Sequence, residues 1–169
     1  MIKTKELNNF DSMNITIRKG LETDLPQALG LVKELAAYEK APDEVTVTIE
    51  EMKRDGFAEN PIFHFFVAEM EKTIVGISLY YVKYSTWKGK CVFLEDIIVT
   101  EAYRKYGIGK KLFDEVMKVA KDMNVKRMEW QVLEWNEPAI KFYEKINANF
   151  DSEWINCKLV DKQIQEYKF

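Results

Sequence analysis

A single α/β domain, with a central mixed, twisted β-sheet and helices on both of its faces, is the fold the sequence predicts. Three observations carry it. Alternating, β-branched runs recur between stretches with apolar residues at three- and four-residue spacing, giving the order β-α-α-β-β-β-α-β-α-β. Residues 62–99 hold three such runs joined by short polar turns, which reads as a meander. From 92 to 133 a strand, a helix and another strand follow one another, the pattern of a right-handed parallel crossover. With 169 residues and 47% apolar composition, the chain is long enough for one domain with a sizeable core. The domain spans 14–169, after a polar arm over 1–13, and shows no repeat or long linker.

The elements follow in order. "NITIRKG" alternates and gives a first strand over 14–19. In "LETDLPQALGLVKELAAYE", Thr23 or Asp24 is placed to cap a helix, Pro26 fits its first turn, and Leu25, Leu29, Val32, Leu35 and Ala36 form its apolar face. Thr48 with Glu51 three residues on predicts a capping box for a short helix over 49–57. Strands are expected near 62–70, 73–84 and 90–99, with turns at "EMEK" and "STWKGK". The next helix begins about Gly107, with Ile108, Leu112, Phe113, Val116, Val119, Ala120 and Met123 facing inward. "KRMEWQVLE" (126–134) predicts a fifth strand. "NEPAIKFYEKIN" predicts a short helix capped by Asn136, with Pro138 in its first turn. Residues 152–161 and 164–168 are strand-like.

Charge and composition narrow the function. A net charge of −3 argues against a general nucleic-acid binder and leaves room for an acidic pocket that takes a cation. Cys91, Cys157 and the lone His64 stand in no metal-ligand spacing, so no metal is expected. The two cysteines read as buried small hydrophobes and His64 as a packing residue. No apolar run suits a signal peptide or a membrane span, and the expected compartment is the cytoplasm.

"RKYGIG" (104–109) lies between an apolar strand and a helix start. The first N–H groups of a helix lack internal acceptors, Gly107 and Gly109 let a bulky anion approach the backbone, and Arg104 and Lys105 add positive charge. A phosphate or pyrophosphate fits such a bend; a tight turn with no ligand fits it too. The stretch is neither a P-loop, since Lys111 follows Lys110, nor the dinucleotide fingerprint, whose first glycine is absent.

Longer stretches carry more. The run "VFLEDIIVTEAYRKYGIGKKLF", with "KELAAYE", "DGFAENPIFHFFVAE", "YYVKYSTWKGK" and "EWNEPAIKFYEKINA", resembles the GNAT N-acetyltransferase superfamily, and within it the spermidine/spermine and thialysine N-acetyltransferases. The resemblance covers roughly residues 14 to 165. It implies acetyl-CoA as donor, with the backbone of Ile97, Ile98 and Val99 pairing with the pantetheine arm and the loop Arg104, Lys105, Tyr106, Gly107, Ile108, Gly109 and Lys110 holding the pyrophosphate. Asn136, Glu137, Pro138 and Ala139 would line the thiol end. Tyr143 matches the tyrosine that protonates the departing thiolate, and Glu95 the carboxylate that meets the amine. Tyr38, Glu39, Glu129, Trp130, Gln131 and Glu153 match positions lining the acceptor site. The resemblance also implies a homodimer whose acceptor site draws on both subunits. Asn147 stands where the family often has glycine, and the loop at 150–154 is shorter than in the eukaryotic polyamine enzymes.

The residues support parts of this chemistry on their own. An alkyl amine arrives mostly as ammonium, and a carboxylate can bind that cation and take its proton. Glu95 interrupts an apolar strand, which fits a site role, although a solvated or ion-paired residue would read the same. Asp96 points the other way in a regular strand; a bulge would bring it into the site as a second carboxylate. Tyr143 is either a core aromatic or a proton donor, and Trp87 either lines the groove mouth or supports a hairpin. The expected partner is a small cationic amine, with no nucleic acid and no membrane. A peptide or protein N-acetyltransferase and a non-catalytic acyl-CoA-binding module are the alternatives.

Overall fold

The alternation over residues 62–99 becomes three hydrogen-bonded strands. In the structure, a computed structural model that describes residues 14–169, β1 (Ile15–Lys19), β2 (His64–Met70), β3 (Thr73–Ser85) and β4 (Gly89–Val99) lie antiparallel in sequence order. β5 (Met128–Glu129) joins β4 in parallel, as the crossover requires. The arm expected over 1–13 lies outside the described residues. The helices are α1 (Leu25–Tyr38), α2 (Ile49–Phe57), α3 (Ile108–Asp122), α4 (Glu137–Lys145) and α5 (Asp161–Gln165). The chain divides into one compact unit ending at Gln131 and a second from Val132 to Phe169.

In the first unit, adjacent residues of β3 reveal both covered faces of the sheet. Ile77 packs with Leu25, Leu29, Met52, Phe65, Val67 and Ile98, a core under α1 and α2. Its neighbour Ser78 points the opposite way and donates its hydroxyl to the carbonyl of Leu112 on α3 at 3.3 Å. Ile108, Leu112, Phe113, Val116 and Ala120 are the buried face of α3, as the spacing predicts. Each large apolar side chain there contributes roughly 2 kcal/mol by leaving water. Met123, expected inward, sits at the C-terminal cap and is exposed, because the helical stripe ends one turn earlier.

Capping follows the sequence at α2, where Thr48 accepts from the Glu51 amide at 3.2 Å and Glu51 accepts from the Thr48 amide at 2.8 Å. At α1 it does not. The Asp24 carboxylate makes no cap bond to the helix; it accepts from Arg18 Nη1 and Nη2 at 2.6 and 2.9 Å and from the Leu21 amide at 2.8 Å. Arg18 Nε also donates to Glu69 at 2.6 Å, so one guanidinium ties β1 to β2 and to the start of α1. That bidentate bond, with the Leu21 amide, holds Asp24 below the usual carboxylate range despite its burial.

Three strand expectations fail. Of residues 126–134, only Met128 and Glu129 pair with β4, opposite Val92 and Phe93. Residues 152–160 form no strand and 161–165 form α5 instead; all of them are exposed. Alternation favours a strand only where a neighbouring edge supplies partners, and among the described residues none pairs with this segment. Cys157 is accordingly exposed, whereas Cys91 is buried as expected. In the second unit α4 forms as predicted: Asn136 Oδ1 accepts from the Ala139 amide at 3.4 Å and Pro138 sits in the first turn. Asn147 takes the left-handed conformation (φ 57°), which asparagine tolerates in place of glycine.

Candidate active site

The bend after β4 has the backbone that an anion cradle needs. Lys105 and Gly107 are both left-handed, at φ 71° and 77°, and α3 starts at Ile108 without any side-chain cap. A Cβ at Gly107 would meet no atom within 4 Å, so the space in front of the helix start is open. Lys105 and Tyr106 are exposed there, Ile108 is buried and offers only its backbone, and Lys110 is paired with Asp114 at 2.6 Å. Uncapped amides behind open space suit a diphosphate.

Among the described residues, no strand pairs with the edge of β4 beside this bend, because β5 is short. Pairing between β4 and β5 covers only Val92 and Phe93. The Thr100 amide donates to Val75 O at 3.0 Å, so ladder alternation directs the Ile98 backbone to β3 and the Ile97 and Val99 backbones to the open edge. An extended arm carrying amides would add there as a strand does. One acceptor on that edge is occupied: Arg104 Nε donates to Val99 O at 2.9 Å. The same guanidinium lies 5.0 Å from the centre of the Tyr38 ring and 3.7 Å from Glu34. Arg104 is thus turned toward α1, not out over the bend.

A bulge arranges the acidic residues. Leu79 is opposite Asp96 and Tyr80 opposite Leu94, so Glu95 is the extra, unpaired residue of β4. Its side chain is exposed and hydrogen-bonded to Tyr81 on β3, whose ring packs 5.3 Å from Phe93. Burial, then Glu95 and then Glu39 push the Asp96 carboxyl up to about 6. Burial also raises Glu39, which caps the C-terminus of α1. Glu39, Glu95 and Asp96 therefore form one interacting set, the convergence that would attract an ammonium.

Glu129 lies opposite Phe93 of β4 and is flanked by two cations. Lys83 Nζ lies 2.9 Å from one of its oxygens and Arg127 Nε 3.2 Å from the other, as ion pairs without hydrogen-bond alignment. Trp130 meets Phe113 of α3 edge-on at 5.4 Å, and Gln131 is exposed. Trp87 is 78% exposed in the β3–β4 turn, where its amide contacts Ser85 Oγ at 3.3 Å. His64, expected as a packing residue, is exposed at the start of β2, with its ring 5.6 Å from that of Tyr80. Tyr81 and Glu34 escaped the sequence reading: the doubled tyrosine of "LYYV" signals only a strand, and Glu34 looks like a solvated helix residue.

In the second unit, Tyr143 is 4% exposed and burial pushes its hydroxyl up to about 12. A phenol so placed keeps its proton at neutral pH. Its helix begins at Glu137, which pairs with Lys141 at 3.0 Å; Glu137 and Pro138 are exposed. Glu153 is exposed, with its amide donating to Asp151 at 3.1 Å. Among the described residues, no helix is long and apolar enough to cross a membrane.

Comparison with known proteins gives consistent findings. The sequence pattern of the acetyltransferase (GNAT) family matches residues 30–148. The thialysine N-epsilon-acetyltransferase of Bos taurus is 40% identical over 142 residues, covering 79% of this chain and 84% of the relative. The spermidine/spermine N(1)-acetyltransferase-like protein 1 of Homo sapiens is 37% identical over 139 residues, 78% of this chain and 20% of the longer relative. Among solved structures, an integron cassette protein of V. cholerae superposes with a TM-score of 0.74 at 20% identity, covering 91% of this chain and 97% of the other. An aminoglycoside N-acetyltransferase in complex with CoA superposes with a TM-score of 0.67 at 18% identity, covering 87% and 95% of the two chains. At these identities the structural matches speak for the fold.

Proposed function

The chain belongs to the GNAT acetyltransferase family, and from that premise we propose that it moves an acetyl group from acetyl-CoA directly to a primary amine of a small polyamine, diamine or thialysine-like amino acid. The observation that carries the choice of acceptor is the set of Glu39, Glu95 and Asp96 around the β4 bulge, where burial first, and then the charges of Glu95 and Glu39, push the Asp96 carboxyl up to about 6. Such a set favours cations and opposes anionic acceptors. The names of the relatives, a thialysine N-epsilon-acetyltransferase and a spermidine/spermine N(1)-acetyltransferase-like protein, agree with it.

Acetyl-CoA supplies the activated thioester. The uncapped amides from Lys105 to Lys110 hold its diphosphate, and the backbone of Ile97 with the Val99 amide receives its pantetheine arm, the Val99 carbonyl being held by Arg104. In the first unit, Glu95 binds the ammonium and takes its proton directly or through water, with Tyr81 fixing the carboxylate. Tyr38 and Glu39 line the acceptor side, and Asp96 adds a carboxyl that changes charge near pH 6. In the second unit, Tyr143 holds a proton on its hydroxyl at neutral pH, the state a donor to a departing thiolate requires. Asn136 to Ala139 present the start of α4 to the thiol end. Glu129, Trp130, Gln131, Trp87 and Glu153 are proposed as acceptor-site margins, Glu129 with its charge balanced by Lys83 and Arg127.

A homodimer in the cytoplasm completes the reading. Its support here is the exposure of Trp154, Ile155, Leu159, Val160, Ile164 and Tyr167 along the C-terminal segment, an apolar surface that association would cover. Transfer of isotope from labelled acetyl-CoA to the amine tests the activity. Labelled N-acetyl amine is expected; tight cofactor binding without labelled product on any amine would leave only the binding module, and label on peptides alone would favour a protein acetyltransferase.

A further inference from the structure

The geometry points to Arg104 and Glu34 as a clip that pins the cofactor loop to α1, with Arg104 a positioning residue and not a phosphate-binding cation; the inference rests on the acetyl-CoA reading above. The guanidinium reaches the strand and the helix: Val99 O at 2.9 Å, the Tyr38 ring at 5.0 Å and Glu34 Oε1 at 3.7 Å. Glu34 holds the next residues in turn, accepting from Thr100 Oγ1 at 2.7 Å and from the Glu101 amide at 3.1 Å. The loop is therefore fastened at 100, 101 and 104 to one face of α1, and Arg104 ties it back to the end of β4 at Val99. What stays unfastened by this clip is the stretch from Lys105 to Gly107, whose left-handed residues shape the bend.

Charge supports the same assignment. Glu34 lies 3.7 Å from the guanidinium and balances its charge, while Lys105 is exposed at the bend. The arrangement also needs arginine as such. A planar guanidinium donates through Nε to a carbonyl while its face lies against an aromatic ring; a lysine ammonium keeps the charge but has no planar fork to hold both contacts at once. Helix α1 ends in Tyr38 and Glu39, so the clip joins the acceptor side of the first unit to its cofactor side. Loosening it should weaken acetyl-CoA by disordering the bend, without changing the number of phosphate-neutralising charges.

The test compares Arg104→Lys, Glu34→Gln and their double variant with the wild type. Acetyl-CoA binding is read by calorimetry, and KM and kcat are read across a salt series. Arg104→Lys and Glu34→Gln are each expected to raise the Kd and KM for acetyl-CoA about tenfold, with kcat within about threefold. The slope of log Kd against log salt should match the wild type, and the double variant should be no worse than either single one. Should Arg104→Lys fail to fold by circular dichroism, Glu34→Gln, which keeps the side chain's shape, decides alone. Wild-type affinity in both single variants would overturn the clip, and a flatter salt slope in a further variant, Arg104→Gln, which removes the charge, would then make Arg104 a phosphate cation. A wild-type protein that binds no acetyl-CoA would instead remove the cofactor reading itself.

Discussion

Tyr143 and Asp96 are both shifted upward by burial, and the consequences differ. For Tyr143 the shift secures the proton that the proposed step donates. Tyr143→Phe keeps the ring and removes only the hydroxyl, so kcat is expected to fall by about a hundredfold or more while acetyl-CoA affinity stays within about twofold. Steady-state kinetics beside calorimetry checks this; equal loss of both would mean that the hydroxyl only supports packing. For Asp96 the shift couples folding to pH. Its folded carboxyl titrates at about 6, above the ordinary value near 4. Between those values the folded chain holds a proton that the unfolded chain has lost, so this contribution is full below about pH 4 and is lost as pH rises through 6. About two units correspond to ~3 kcal/mol. Asp96→Asn mimics the protonated state. Its stability relative to wild type should therefore grow by up to ~3 kcal/mol from pH 4 to pH 8 in urea unfolding. A constant difference would place the carboxyl in water.

The bend and helix α3 make a sharper case at the level of elements, because their two glycines do different work. Gly107 is left-handed with open space around it, so Gly107→Ala meets no clash and suffers backbone strain alone, about 1 kcal/mol. Gly109 is inside α3, and a Cβ there would touch Val99 at an ordinary 3.8 Å, so Gly109→Ala should gain a few tenths to ~1 kcal/mol from helix propensity. Thermal melting should lower Tm in the first variant and raise it in the second. Similar melting of both would contradict the bend geometry. Which elements were legible follows the same physics. The meander, α2, α3 and α4 carry their own signals in alternation, capping residues and apolar stripes, and they form within a residue or two of the expected bounds. The C-terminal strands and most of β5 were misread because a strand needs a neighbour that no local pattern specifies. Asp24 was misread as a cap because nothing nearby announces Arg18 and Glu69. In the site, Glu95 and the glycine bend were visible as interruptions of a regular pattern. The bulge that turns Glu95 out, the tyrosine that holds it and the inward turn of Arg104 arise only when strands and helix come together.

For the whole molecule, the proposed function rests on two features of the first unit: an uncapped helix start suited to a diphosphate, and carboxylates around the bulge suited to a cation. An excess of negative charge over the chain as a whole agrees with the second. The most direct measurement is kcat/KM, at saturating acetyl-CoA and neutral pH, for a short diamine against the monoamine of equal chain length. The diamine should be preferred by about tenfold or more, since a second ammonium near the carboxylates is worth at least ~1.4 kcal/mol, and Glu39→Gln should reduce that preference. Equal rates on the two amines, or a higher rate on a peptide α-amine than on either, would contradict the account.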